Sequence, residues 1–216
     1  MILVIGCNKG GASKSTTALN VATYLAIQGK DVCLLDADPQ SSCSKWYSYR
    51  EDAGLQPTIT LVQKYGNIAG TLKEMDKKYD YVVVDVAGRN SREFVTSGTV
   101  AHHIISPHLA SQFDLDTIEE LEQQAEGFRD LNPELEIWIY QSKATTNPIT
   151  AGKERSDFIE FMNGYNFAKM LTSKSCERKI YRDVLPEGKS VLETSNQLAR
   201  QEIIDLVKEV LGHELP

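Results

Sequence analysis

Short apolar runs that alternate with helical patterns along 216 residues predict an α/β fold, a doubly wound, mainly parallel sheet with helices on both faces. Two further observations support it. Val82-Val83-Val84 places three β-branched residues in a row, as suits a strand buried on both sides. The turns richest in Gly and Asp also follow directly on the apolar runs, at the strand ends where open α/β sheets hold their ligands.

The first strand is expected from Ile2 to Gly6, before a glycine-rich turn. Ser15 to Gln28 then repeats apolar residues near i, i+3 and i+4 and stops at Gly29, a suitable helix C-cap. Further strands are expected at Val32 to Leu35, Thr58 to Val62, Tyr81 to Asp85, His103 to Ser106 and Ile137 to Tyr140. Helical patterns lie between them, and Asp114 to Leu131 and Asn196 to Leu211 form longer amphipathic helices. No internal repeat, low-complexity tract or Pro/Ser-rich linker divides the chain, so one domain is expected over 1–216.

Composition sets limits on function. Hydrophobic residues at 41% and charged residues at 25% are ordinary for a globular protein. The N-terminal apolar run is too short for a signal peptide and no stretch approaches the roughly 20 apolar residues of a membrane span, so a cytoplasmic protein without a membrane role is expected. Cys7, Cys33, Cys43 and Cys176 lack metal-ligand spacing and read as reduced, packed thiols. His102, His103, His108 and His213 show neither ligand spacing nor an adjacent nucleophile, and Trp46 and Trp138 read as sheet-packing residues. A net charge of −7 excludes an all-over nucleic-acid surface but allows a local one. Between Lys169 and Lys189 six basic residues face three acidic ones, a local balance of +3.

The chemistry-bearing run is Lys9-Gly10-Gly11-Ala12-Ser13-Lys14-Ser15-Thr16. A strand that ends in a glycine-rich turn and opens a helix aims several backbone N–H groups at one point, where the helix dipole also favours negative charge. In the ordinary phosphate loop, G-x-x-x-x-G-K-[ST], the lysine reaches the phosphates and the hydroxyl meets Mg²⁺, roles that fit Lys14 and Ser15. That pattern also asks for glycine where this chain has Asn8 and Ser13.

A variant pattern accounts for the run better. K-G-G-x-G-K-[ST]-T is the deviant Walker A box of the ParA/MinD family of ATPases, and K-G-G-A-S-K-S-T resembles it at every position but Ser13. Leu34-Leu35-Asp36-Ala37-Asp38-Pro39-Gln40-Ser41 resembles the family's D-x-D-P-Q element, and Val82-Val83-Val84-Asp85-Val86-Ala87-Gly88-Arg89-Asn90-Ser91 its Walker B and switch segment. The run from Ser106-Pro107 to Asp116-Thr117 is similar to a segment of the plasmid-type branch, with Asp114 equally suited to cap the next helix. Arg178 to Val191 is a weaker fifth match.

The resemblance implies a magnesium-dependent ATPase. Residues Lys9 to Thr16 would bind the nucleotide, with Lys14 on the β and γ phosphates and Gln141 an adenine-side candidate. Ser15, Asp36 and Asp85 would hold Mg²⁺, the two carboxylates through water, and Asp38 would orient the attacking water. Lys9 would cross to a partner subunit and touch its phosphates, so that ATP drives a sandwich homodimer. The ATP dimer would then bind DNA without sequence preference, through Lys174, Arg178, Lys179 and Arg182, until a centromere-binding or cargo-adaptor protein stimulates hydrolysis. With the phosphate loop starting near residue 9, the short type without an N-terminal helix-turn-helix is expected, serving plasmid partition. A sister ATPase that positions a protein cargo, such as a carboxysome or chemoreceptor cluster, and more remotely a phosphate-loop small-molecule kinase, remain as alternatives. A membrane-anchored role lacks its basic amphipathic helix, since Gln201 to Leu211 runs into Gly212-His213-Glu214-Leu215-Pro216.

Overall fold

The computed structural model describes residues 1–88, 91–110 and 112–212, without the side chains of 112–116. Arg89, Asn90, Ser111, His213 and the rest of the C-terminal tail, together with the capping role suggested for Asp114, therefore lie outside the described residues. Seven strands, β1 (Ile2–Ile5), β2 (Val32–Ala37), β3 (Thr60–Gln63), β4 (Tyr81–Val86), β5 (His103–His108), β6 (Glu136–Ala144) and β7 (Lys169–Cys176), form one sheet. Its order is β3-β2-β4-β1-β5-β6-β7 and every pairing is parallel. The helices α1 (Lys14–Ile27), α2 (Ser42–Asp52), α3 (Ala69–Asp76), α4 (Arg92–Gly98), α5 (Gln112–Leu131), α6 (Ala151–Met162), α7 (Ile180–Asp183) and α8 (Gln197–Leu211) connect or follow the strands.

Strand alternation sorts the core into two layers. Leu3 and Ile5 face α1 and α8, in a cluster that includes Leu19, Leu25, Ile203 and Leu206. Ile2 and Val4 face the other way, toward Leu72 of α3, Phe94 of α4, Leu121 of α5 and Phe158 of α6. A sheet covered on both faces needs this near-continuous apolar character, and all six residues of β2 and of β4 are buried. Both carry an aspartate near the C-terminal end, and the register sets Asp36 directly beside Asp85.

Local signals place the helix ends. Gly29 takes φ +77° after α1, a left-handed turn that glycine enters without a Cβ clash, and its N–H donates to the Ala26 carbonyl at 3.0 Å. Asn196 caps α8, accepting from the Ala199 N–H at 3.0 Å.

Strand β7 was not expected from the sequence. It is an edge strand with a mixed face, Leu171 and Ser175 being its buried residues. Its register against β6 slips after Ile139, leaving a bulge around Thr172 and Ser173. Glu209 of α8 covers that bulge: its carboxylate accepts from the N–H of Thr172 at 2.6 Å and of Ser173 at 2.8 Å. Those hydrogen bonds hold the Glu209 carboxyl below its ordinary range despite partial burial, which acts the other way. The edge N–H groups are thereby denied to another strand.

Candidate nucleotide site

The turn between β1 and α1 lies at the centre of the sheet, with β4 and β5 on either side of β1. Its carbonyls are held from outside. Ser142 Oγ donates to the Ala12 carbonyl at 3.0 Å and Lys143 Nζ to the Gly11 carbonyl at 2.6 Å, both from the end of β6. Lys143 takes φ +51° there, and Ser13, the residue before α1, takes φ 70° and ψ 22°. The Ser13 side chain makes no capping bond, so the first N–H groups of α1 have no cap from it.

Lys14 is buried, with its Nζ 2.7 Å from the Lys9 carbonyl and 3.9 Å from Cys7 Sγ. Gly88, after β4, lies against the same group. A Cβ there would meet the Lys9 carbonyl at 3.2 Å and Lys14 Nζ at 3.3 Å, so a side chain at this position would push the loop back by a few tenths of an ångström.

Asp36 and Asp85 sit behind the loop, both fully buried. Asp36 accepts from the Ser44 N–H at 2.8 Å, Ser44 Oγ at 2.7 Å and the Asp38 N–H at 3.2 Å. Asp85 Oδ2 lies 3.3 Å from Cys43 Sγ, and the Ser15 side chain is near enough to favour the charged carboxylate. Among the described residues its other oxygen, Oδ1, is buried without a hydrogen-bond partner. Burial pushes the Asp85 carboxyl up to about 7; the Ser15 and Cys43 side chains oppose the rise, and the charges of Asp36 and Asp38 add to it. Asp38 stands further out, lining the cavity, with its Oδ1 accepting from the Gln40 N–H at 2.9 Å.

These residues suit a Mg²⁺ ion held mainly by phosphate and water. An orphaned buried carboxylate oxygen beside a serine hydroxyl supplies hard oxygen donors of the kind Mg²⁺ takes. Among the described residues no group of three or more His, Cys, Asp or Glu converges to cage an ion outright. A magnesium site of one or two protein oxygens plus substrate phosphates needs no such cage.

A cavity of about 900 Å³ opens over the loop, ample for a nucleotide. The phosphate-loop residues Gly10, Gly11 and Ser13 to Thr16 form its floor. Lys45, Trp46 and Tyr49 of α2 line it, as do Glu177, Arg178, Tyr181 and Arg182.

The structure relocates several residues singled out in the sequence. Arg178 and Arg182, expected on an outer DNA-binding face, line this cavity, and Arg178 Nε is paired with Glu202 at 2.8 Å. Lys174 lies on β7, while Lys179 is exposed, 3.5 Å from Asp183. Gln141 is fully buried; its amide donates to Glu154 at 3.0 Å and accepts from Arg155 at 2.9 Å, so it does not reach the cavity wall. Trp46 packs as expected, its Nε1 donating to the Lys189 carbonyl at 3.0 Å, but one edge also meets the cavity. Cys43 reads in the sequence only as a packed thiol, and Ser44, Ser142 and Lys143 give no signal there, because their roles depend on contacts between distant segments. All four cysteines are free thiols, and no helix among the described residues is long and apolar enough to cross a membrane.

A glycine-rich turn over two strand-end carboxylates, at the centre of a doubly wound parallel sheet, defines a phosphate-loop nucleotide-binding domain. Residues 3–127, more than half of the chain, match the model of the CobQ/CobB/MinD/ParA nucleotide binding domain, and the chain belongs to that family. It is 38% identical over 94 residues to Protein ParA of Rhizobium radiobacter, covering 42% of this chain and 40% of that protein. It is 31% identical over 121 residues to the Maintenance of carboxysome distribution protein A of Synechococcus elongatus, covering 54% and 48%. The matched region thus spans less than half the length of these two relatives. Among solved structures, apo McdA of Cyanothece superposes with a TM-score of 0.81 at 15% identity, covering 97% of this chain and 98% of that one. The MinD cell division protein of Aquifex aeolicus superposes at 0.77 with 18% identity, covering 100% and 98%. At such identities these structures speak for the fold.

Proposed function

We propose that this chain is a magnesium-dependent ATPase of the partition type, which closes on ATP as a homodimer and moves a DNA cargo, most directly a plasmid. The observation that carries the reading is Lys14, a buried ammonium 2.7 Å from its own loop carbonyl at the floor of a cavity of about 900 Å³. A buried cation is stabilised by a strong acceptor, and phosphate oxygens are the acceptors this loop geometry favours. Lys14 would take the β and γ phosphates, Ser15 and Asp85 would face the metal, and Asp36 would reach it through water. When bound, Mg²⁺ would offset phosphate charge. Asp38, at the cavity wall, would orient water toward the γ phosphate, and Arg178 and Arg182 line the far end, where the base and ribose would lie. Hydrolysis in this reading is slow until a centromere-binding or cargo-adaptor protein engages the dimer.

DNA contact would fall to local basic residues, with exposed Lys179 and Arg182 better placed than half-buried Arg178, which pairs with Glu202. A protein cargo is the second reading, favoured by the similarity to a carboxysome-distribution protein. The test is light scattering of wild type and Lys9→Ala with ATP and Mg²⁺. The expected result is an ATP-dependent dimer for wild type and a monomer that still binds ATP for the variant. A variant that dimerises normally would remove Lys9 from the partner's site, and a wild type that binds no ATP would end the proposal.

A further inference from the structure

Consecutive residues at the start of α2 each hold one of the two paired carboxylates. Ser44 donates twice to Asp36 Oδ2, at 2.8 and 2.7 Å, while Cys43 Sγ lies 3.3 Å from Asp85 Oδ2. Asp36 and Asp85 are direct neighbours in the β2–β4 register, so one helical turn addresses both strand ends at once. Cys43 is fully buried, and its sulfur also lies 3.8 Å from the Ser15 carbonyl, between the phosphate loop and β4. The only hydrogen a thiol carries is its S–H, so against a carboxylate oxygen at this distance Cys43 acts as the donor.

We propose that Cys43 is a positioning residue for the metal-facing carboxylate: by donating S–H to Asp85 Oδ2 it fixes the carboxylate so that the unpartnered Oδ1 is the oxygen offered to the Mg²⁺ shell. The inference rests on the nucleotide-site reading above. A carboxylate has two equivalent oxygens and can rotate, and a donor on one selects which of them stays available. Groups that orient a metal-facing residue commonly change metal affinity by about 10–100-fold when removed. A weak S–H donor belongs at the low end of that range.

The experiment measures binding of a fluorescent ATP analogue to wild type, Cys43→Ala and Cys43→Ser, in EDTA and across a Mg²⁺ titration, with a melting curve for each. In wild type Mg²⁺ is expected to tighten nucleotide binding. In Cys43→Ala the Mg²⁺ concentration for half-maximal effect should rise about tenfold while binding in EDTA stays within twofold, and Cys43→Ser, which restores a donor, should recover most of the loss. A thiol that merely fills space would change binding in EDTA and with Mg²⁺ together, or give Ala and Ser variants that behave alike, and either result overturns the proposal. If wild type binds nucleotide with Mg²⁺ and Cys43→Ala titrates identically, the positioning role fails and the nucleotide site stands. A wild type that binds nucleotide without any Mg²⁺ effect ends the positioning role, and one that binds no nucleotide ends both.

Discussion

Ser13→Gly should stabilise the nucleotide-free protein. Ser13 holds φ 70° and ψ 22°, a left-handed conformation that brings an L-residue's Cβ close to the following carbonyl at roughly 1–2 kcal/mol. Its hydroxyl offers nothing in return as a cap, since no side-chain capping bond forms there. The backbone bond that matters, from the Thr17 N–H to the Ser13 carbonyl at 2.8 Å, survives the change. Glycine removes the strain and gives back about 0.5–1 kcal/mol through its greater freedom in the unfolded chain, leaving a net gain of about 0.5–1 kcal/mol. For a chain of this size that is a rise in Tm of about 1–4 °C. Thermal unfolding followed by circular dichroism, without nucleotide, is the assay, with Ser13→Ala as control. Alanine keeps the Cβ and should give no gain. A Tm that stays level or falls in Ser13→Gly, or an equal rise in Ser13→Ala, would show that the Cβ is not the source of strain.

Asp85→Asn should change stability with pH in a defined direction. The folded carboxyl titrates at about 7 against an ordinary 3.8, so between those values the folded state binds a proton that the unfolded chain does not, and stability falls as pH rises. The amide removes this penalty, so the Tm difference between variant and nucleotide-free wild type should grow from pH 5 to pH 8; a flat difference would refute the assignment. In the same variant the stabilisation of wild type by Mg²⁺ and ATP should be largely absent. Arg50→Ala should destabilise by about 3–5 kcal/mol in urea unfolding, because the buried guanidinium pairs with Glu193 at 2.9 Å, donates to the Gly188 and Pro57 carbonyls and lies over Trp46. A loss under 1 kcal/mol would mean that the pair adds little.

Two surroundings that the sequence does not show, those of the Lys169 to Lys189 run and of Gln141, share one physical cause. Five of the six strands expected from the sequence are legible because buried parallel strands must be apolar, while the sixth, β3, at the edge opposite β7, is only half-buried at Leu61 and Val62; strand ends differ from expectation by only a few residues, as at β5, which continues through Pro107 to His108. The phosphate loop, Asp36, Asp38 and Asp85 were legible because the chemistry is written in contiguous residues after those strands. Strand β7, reading Lys-Met-Leu-Thr-Ser-Lys-Ser-Cys, gives no such signal, since an edge strand needs one packed face and uses lysine to keep its free edge unpaired. Without β7, the basic run from Lys169 to Lys189 looks like one solvated surface available to DNA. With β7 in the sheet, the residues that follow its C-terminal end reach the cavity over the central loop, and Arg178 and Arg182 line it. Gln141 is an adenine-side candidate by family resemblance alone; with β6 running on to Ala144 and β7 beside it, Arg155 and Glu154 bind its amide. Edge strands are thus where charge patterns in a sequence mislead, because polar residues there report the sheet's border before they report a partner.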